Sequence, residues 1–217
     1  MALAPIRLAV LVSGGGRTLA NLLDRIAAGS LPARVEAVVS SRDDIRGVEI
    51  ARASGIPVHV LPPRGRPLAD WSRDVFAACG GADLVVMAGF LHLIEVPADF
   101  AGRVINIHPS LLPAFGGKGF HGMHVHRAVL ERGCTISGCT VHLVDAEYDH
   151  GRILLQRAVP VLPDDTAESL AARVFAAECA VLPEAIARIA TVARRSASYH
   201  SQTILPEASA CTVRSAT

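Results

Sequence analysis

Arg7-Leu8-Ala9-Val10-Leu11-Val12-Ser13-Gly14-Gly15-Gly16-Arg17-Thr18-Leu19-Ala20-Asn21-Leu22-Leu23-Asp24-Arg25-Ile26-Ala27-Ala28 passes from an apolar run, through three glycines, into a helical pattern. A short apolar run closed by turn residues reads as a buried strand. Leu19, Leu22, Leu23 and Ile26 then fall at i, i+3, i+4 and i+7, which predicts a helix from about Arg17 to Ala28 with one apolar face. A strand that feeds a helix through a glycine turn opens a βα unit of a parallel sheet. The turn also offers unhindered backbone N–H groups at the positive end of a helix, a seat for an anion. Leu19 stands where the third glycine of a dinucleotide fingerprint would be, and no Gly-Lys-Ser/Thr follows, so a single phosphate fits better than a dinucleotide or a P-loop nucleotide.

The alternation continues outward. Val35 to Val39 reads as a second strand, Ile45 to Ala53 as a helix, Val58 to Leu61 as a third strand and Leu68 to Ala78 as a helix. Asp83 to Ala88 and Val104 to His108 are the next strands. After a glycine-rich stretch from Ala114 to Gly122 comes a helix over Val125 to Arg132. Two strands then adjoin without a long helix between them, around Thr140 to Val144 and Ile153 to Val159, which predicts an antiparallel pair. A last helix should start at Thr166 as N-cap, bury Leu170, Val174, Ala177 and Val181, and kink or divide at Pro183. The expected fold is α/β: a doubly wound, mostly parallel, Rossmann-like sheet with an antiparallel C-terminal addition. A single domain over residues 1–190 and a disordered tail over 191–217, rich in Ser, Thr and Ala, complete the reading.

The chain has 217 residues, 51% of them hydrophobic, enough for one sizeable core. Its 21 basic and 20 acidic residues are interspersed and leave a net charge of +1, so there is no basic footprint for nucleic acid. The five cysteines are odd in number and irregular in spacing, which suits reduced packing thiols. No apolar run reaches membrane-spanning length, and no cleavage site follows the apolar N-terminus. A cytoplasmic protein is expected.

The chemistry concentrates in Val104-Ile105-Asn106-Ile107-His108-Pro109-Ser110-Leu111-Leu112-Pro113. Strand side chains alternate, so Asn106 and His108 share a face, and Pro109 ends the strand just beyond them. Ligands of open α/β sheets bind at such C-terminal ends, which makes His108 a candidate acid/base rather than a core histidine. Asp149, in the acidic stretch between two strands, is the carboxylate that can swing towards it. His121, His124 and His126 lack the spacing and the thiolate or carboxylate partners of a zinc site, so no metal is expected. No nucleophile elbow surrounds Ser110. Glu178, on a mostly apolar helix, either bonds ligand hydroxyls or lies on a solvated edge.

Several ordered motifs together resemble the phosphoribosylglycinamide formyltransferases, folate-dependent enzymes of purine synthesis. The likeness covers about residues 6–190 and rests on Val10 to Gly16, Val86-Met87-Ala88-Gly89-Phe90, Asn106 to Pro113, Gly138-Cys139-Thr140-Val141-His142 and Tyr148 to Leu154. It implies transfer of a formyl group from 10-formyltetrahydrofolate, as co-substrate, to the amine of glycinamide ribonucleotide. By this resemblance Gly16, Arg17 and Thr18 hold the substrate phosphate and Glu178 its ribose. Arg66, Leu91, His92, Leu93, Ile94, Asn106 and the loop from Asp145 to Asp149 line the folate pocket, and Asn106, His108 and Asp149 are the catalytic set. Such a transfer needs no protein nucleophile, because the substrate amine attacks directly. Asn106 and a protonated His108 suit an oxyanion, each donor being worth about 2.7–4 kcal/mol, and Asp149 would raise the histidine pKa.

The chain departs from the family in carrying Arg17-Thr18 where small polar residues are common, His92 where some bacterial relatives have arginine, and a longer loop over Ala114 to Met123. Methionyl-tRNA formyltransferase and formyltetrahydrofolate hydrolase share the Asn-x-His and Ser-Leu-Leu-Pro elements, each with extra sequence. A non-catalytic nucleotide or folate sensor is the alternative from another class. Monomer and homodimer are both compatible with the sequence.

Overall fold

Side chains of β1 (Ile6–Val12) are divided between two apolar layers, because successive residues of a strand face opposite sides. Leu8, Val10 and Val12 enter one layer while Ala9 and Leu11 enter the other, and all of them are fully buried. A strand buried on both faces belongs to the middle of a parallel sheet covered by helices. The computed structural model describes residues 4–197 and bears this out.

Along the chain follow α1 (Arg17–Ala27), β2 (Ala33–Ser40), α2 (Arg46–Ala53), β3 (Val58–Val60), α3 (Leu68–Ala78), β4 (Leu84–Met87), a 3-10 turn at Ala98–Phe100, and β5 (Val104–His108). Then come α4 (Met123–Glu131), β6 (Ile136–Leu143), β7 (Ile153–Pro160) and α5 (Ala167–Ala197). The seven strands lie in the order β3-β2-β1-β4-β5-β6-β7. β1 to β5 pair in parallel, while β6 runs antiparallel to both β5 and β7. This is the expected fold class. Winding reverses between β1 and β4, and the crevice beyond their C-terminal ends is where such sheets bind ligands.

Leu19 and Leu22 of α1, Val48 of α2, Val129 of α4 and Leu170, Val174 and Val181 of α5 fill the first layer. Trp71, Val75 and Phe76 of α3 fill the second. Trp71 is buried with its indole N–H donated to Leu61 O at 2.9 Å, so its ring is covered without leaving a donor unpaired.

Differences from the sequence reading lie mostly at element ends, and β6 begins at Ile136 rather than near Thr140. α4 begins at Met123 rather than Val125, and the turn at Ala98–Phe100 carries no strong periodic signal. Thr166 caps α5 as expected: it accepts from Ser169 N–H at 3.2 Å, and Ser169 Oγ accepts from Thr166 N–H at 3.0 Å. Pro183 does not divide α5. Proline has no N–H for the carbonyl four residues earlier, that of Cys179, and α1 supplies the missing donors. Asn21 Nδ2 reaches Cys179 O at 3.1 Å and Arg25 Nη2 at 3.4 Å. The helix therefore survives its proline by docking on α1. α5 continues to Ala197, past the expected tail boundary, and the rest of that tail lies outside the described residues. Among the described residues no helix is long and apolar enough to cross a membrane.

Candidate active site

β5 delivers Asn106 and His108 to its C-terminal end, on one face, opposite His142 and Thr140 of β6. Fully buried Thr140 organises the chain that leaves β5. Its hydroxyl donates to Ser110 O at 2.7 Å and accepts from Leu112 N–H at 3.0 Å and from Gln156 Nε2 at 2.9 Å. Ser110 Oγ donates to Ala114 O at 2.6 Å. Thus tied, the loop turns Phe115, with φ 55°, so that its carbonyl lies 2.8 Å from His108 Nε2. A carbonyl only accepts, so Nε2 carries a proton and Nδ1 is left to face the cleft side.

Asp149 meets His108 there. It sits in the β6–β7 connection at φ 53°, in the left-handed region. Two residues on, Gly151 packs so closely that a Cβ would lie 1.9 Å from Leu143 O, which fixes the turn. Asp149 Oδ2 lies 3.3 Å from His108 Nδ1 and accepts from Gly117 N–H at 3.0 Å, and its Oδ1 accepts from Asn106 Nδ2 at 3.2 Å. Burial alone would raise this carboxyl. The contacts from His108 and His142, the charge of His108 and the Gly117 N–H together outweigh burial and hold it well below the usual carboxylate range, so Asp149 is ionised. Both ring nitrogens of His108 face acceptors, an arrangement satisfied in full by the imidazolium.

These groups open on a cleft of about 700 Å³. Gly14 to Thr18 line one part of it, Leu91 to Ile94 another, and Asn106, His108, Asp149 and Glu178 line it as well. Gly16 caps α1 at φ 67°, and a Cβ there would lie 2.5 Å from Gly47 Cα, so the glycine turn is backed by backbone. Arg17 places its guanidinium carbon 3.9 Å from the centre of the Phe175 ring, which holds the cation within the cleft wall. Ser13 Oγ accepts from Leu91 N–H at 3.3 Å and ties the two parts together. His92 packs edge-on against Trp71 and Phe90, and burial lowers its pKa.

Two expected residues lie elsewhere. Arg66 is turned to Asp74 on α3, and Asp145 bonds Glu147 N–H and the ring of His150; neither lines the cleft, because each has a nearer partner of its own. Among the other cleft residues, the sequence reading gives His142 and Phe175 no part in the site and weighs His126 only as a metal ligand, while Tyr148 lies in the loop expected to line the folate pocket. Tyr148 accepts from Leu93 N–H at 3.1 Å and joins the Asp149 loop to the apolar wall. The signal for His142 was its alternation with Thr140, which becomes informative once β6 is paired with β5. Among the described residues, no three His, Cys, Asp or Glu side chains form a group that could hold a metal ion.

Burial raises the Glu178 carboxyl to about 7, with Arg17 and His108 pulling the other way. A carboxyl raised by folding binds its proton more tightly in the native state, so stability falls as pH rises from about 4.5 to 7. Glu178→Gln should flatten that part of the profile and stabilise the protein above pH 7 by about 2 kcal/mol, allowing for partial exposure to the cleft. Thermal melts from pH 4.5 to 8 check this; parallel curves for the two proteins would refute it.

Comparison with known proteins places this geometry in context. The family described as formyl transferase matches residues 6–186. A chloroplastic phosphoribosylglycinamide formyltransferase of Arabidopsis thaliana is 45% identical over 84% of the chain, which spans only 65% of that relative's length. The phosphoribosylglycinamide formyltransferase of Mycobacterium tuberculosis is 43% identical over 87% of the chain and 86% of its own. The crystal structure of glycinamide ribonucleotide transformylase 1 from Symbiobacterium toebii superposes with a TM-score of 0.75 at 41% identity, covering 86% of this chain and 88% of that one.

Proposed function

The chain belongs to the formyl transferase family, alongside its phosphoribosylglycinamide formyltransferases, and from that membership we propose that it formylates the amine of glycinamide ribonucleotide at the expense of 10-formyltetrahydrofolate. The observation that carries the reading is the convergence of Asn106, His108 and ionised Asp149 on one cleft that also contains a glycine anion seat. Gly16, Arg17 and Thr18 take the phosphate and Glu178 the ribose. The apolar wall from Leu91 to Ile94, with Tyr148, takes the folate. The folate supplies the formyl group at a nitrogen that becomes the leaving group.

As the amine attacks the formyl carbon, negative charge develops on the carbonyl oxygen. His108 Nδ1–H and the Asn106 N–H now resting on Asp149 turn to that oxygen. Asp149, freed of them and ionised, receives the proton that the attacking amine loses, directly or through one water. That proton ends on the departing folate nitrogen as its bond to carbon breaks. Much of the remaining acceleration comes from holding two small molecules in attack geometry. Buried free thiols at Cys79 and Cys139 suit a reducing compartment, and we place the reaction in the cytoplasm, within a single domain.

The test is product formation from glycinamide ribonucleotide and 10-formyltetrahydrofolate. Formate released without the amine would favour a hydrolase, and binding of both ligands without turnover a sensor. Gly16→Ala should raise KM for the ribonucleotide about 10-fold while leaving KM for the folate near its original value, because the new Cβ must push the loop away from Gly47. Steady-state kinetics with each substrate varied in turn decide it; equal effects on both would remove the phosphate from this loop.

A further inference from the structure

His142 lies on β6 between β5 and β7 at the wall of the cleft, with 2% of its surface exposed, and both its ring nitrogens have partners. Nδ1 lies 2.8 Å from Leu143 O, the carbonyl of the next residue. Because that oxygen can only accept, the Nδ1 proton is fixed. In the neutral ring Nε2 is then an acceptor, and it lies 3.1 Å from the side-chain nitrogen of Asn106. Asn106 could satisfy His142 only with its N–H2 turned that way; the flipped amide would set its oxygen against a lone pair. The separation from Nε2 to Asp149 Oδ1 is 3.6 Å, too long for a hydrogen bond, which agrees with an unprotonated Nε2.

We propose that His142 is a positioning residue that locks the orientation of the Asn106 amide, so that one N–H is committed to Nε2 and the other is always presented towards Asp149 and the developing oxyanion. The proposal rests on the formyl-transfer reading, and it assigns His142 no contact with substrate. The chain of control runs from a backbone carbonyl, through a ring tautomer, to the orientation of an amide. Directly opposed positions on paired strands place the two side chains against each other, so the device is built into the β5–β6 register.

Two measurements test it. Imidazole nitrogen spectra of the 15N-histidine-labelled protein should show His142 neutral, with a pyrrole-like Nδ1 and a pyridine-like Nε2; a proton on Nε2 would overturn the assignment. His142→Leu should lower kcat about 10²-fold with KM for both substrates within about 3-fold, the loss typical of one misdirected oxyanion donor. His142→Gln, whose amide oxygen can accept near the Nε2 position, should recover most of that loss. In an Asn106→Ala background, His142→Leu should have little further effect, because the pair acts as a unit. Full activity in a folded His142→Leu protein, or equal loss in the Gln and Leu variants at matched thermal stability, would refute the proposal. If the wild-type protein shows no formyl transfer, the functional reading fails while the tautomer measurement still judges the lock.

Discussion

Replacing His108 by alanine is expected to lower kcat about 10³-fold while KM for either substrate changes only a few-fold. The imidazolium is asked to do two things: to donate Nδ1–H to an oxygen that becomes negative only in the transition state, and to share a proton economy with Asp149. Positioned acid/base groups contribute about 10²–10⁴-fold, and an oxyanion donor acts on the transition state more than on the bound substrate. The ring is 3% exposed and wedged between Phe115 O and Asp149, so its removal also strands a buried carbonyl. That costs about 1–3 kcal/mol of stability. Kinetics are therefore measured well below the melting temperature of the variant. A kcat within 10-fold of the parent would take His108 out of the chemistry.

Asp149→Asn keeps the shape of the side chain and should cost about as much. The carboxylate accepts from Gly117 N–H and Asn106 Nδ2 and faces His108, with one oxygen or the other turned to each. An amide has one accepting oxygen, so at least one donor in this ring of contacts would meet another donor. The charge that stabilises the imidazolium goes as well, and with it the base for the amine proton. We expect kcat to fall about 10³-fold with near-normal binding of both ligands, measured by steady-state turnover beside calorimetric titration. Loss of binding with unchanged kcat would make Asp149 a ligand-holding residue instead.

The fold was legible because it depends on local signals. Gly14 to Gly16 between a strand and a Leu19-Leu22-Leu23-Ile26 face specify a βα turn, and strand alternation alone puts Asn106 beside His108. Asp149 was within reach because few residues separate the strands that flank it. His142 was not assignable, since its role depends on an antiparallel register that no short-range pattern encodes. Arg66 and Asp145 were misplaced for the converse reason. Charged side chains go to the nearest opposite charge, and Asp74 and His150 are settled only by three-dimensional proximity. The positive φ of Phe115, which aims a carbonyl at His108, likewise has no glycine to announce it.

Pro183 looks like a defect in α5, yet the carbonyl it orphans is the handle by which Asn21 and Arg25 grip that helix. Cys179 lies one residue from Glu178 on α5, and its partners lie on α1, which starts at the glycine turn, so two walls of the cleft are riveted together by a missing bond. Substituting alanine would mend the helix and draw out the rivet. A designer seeking a roomier cleft has in that joint a tolerance that can be loosened without touching any group that lines it.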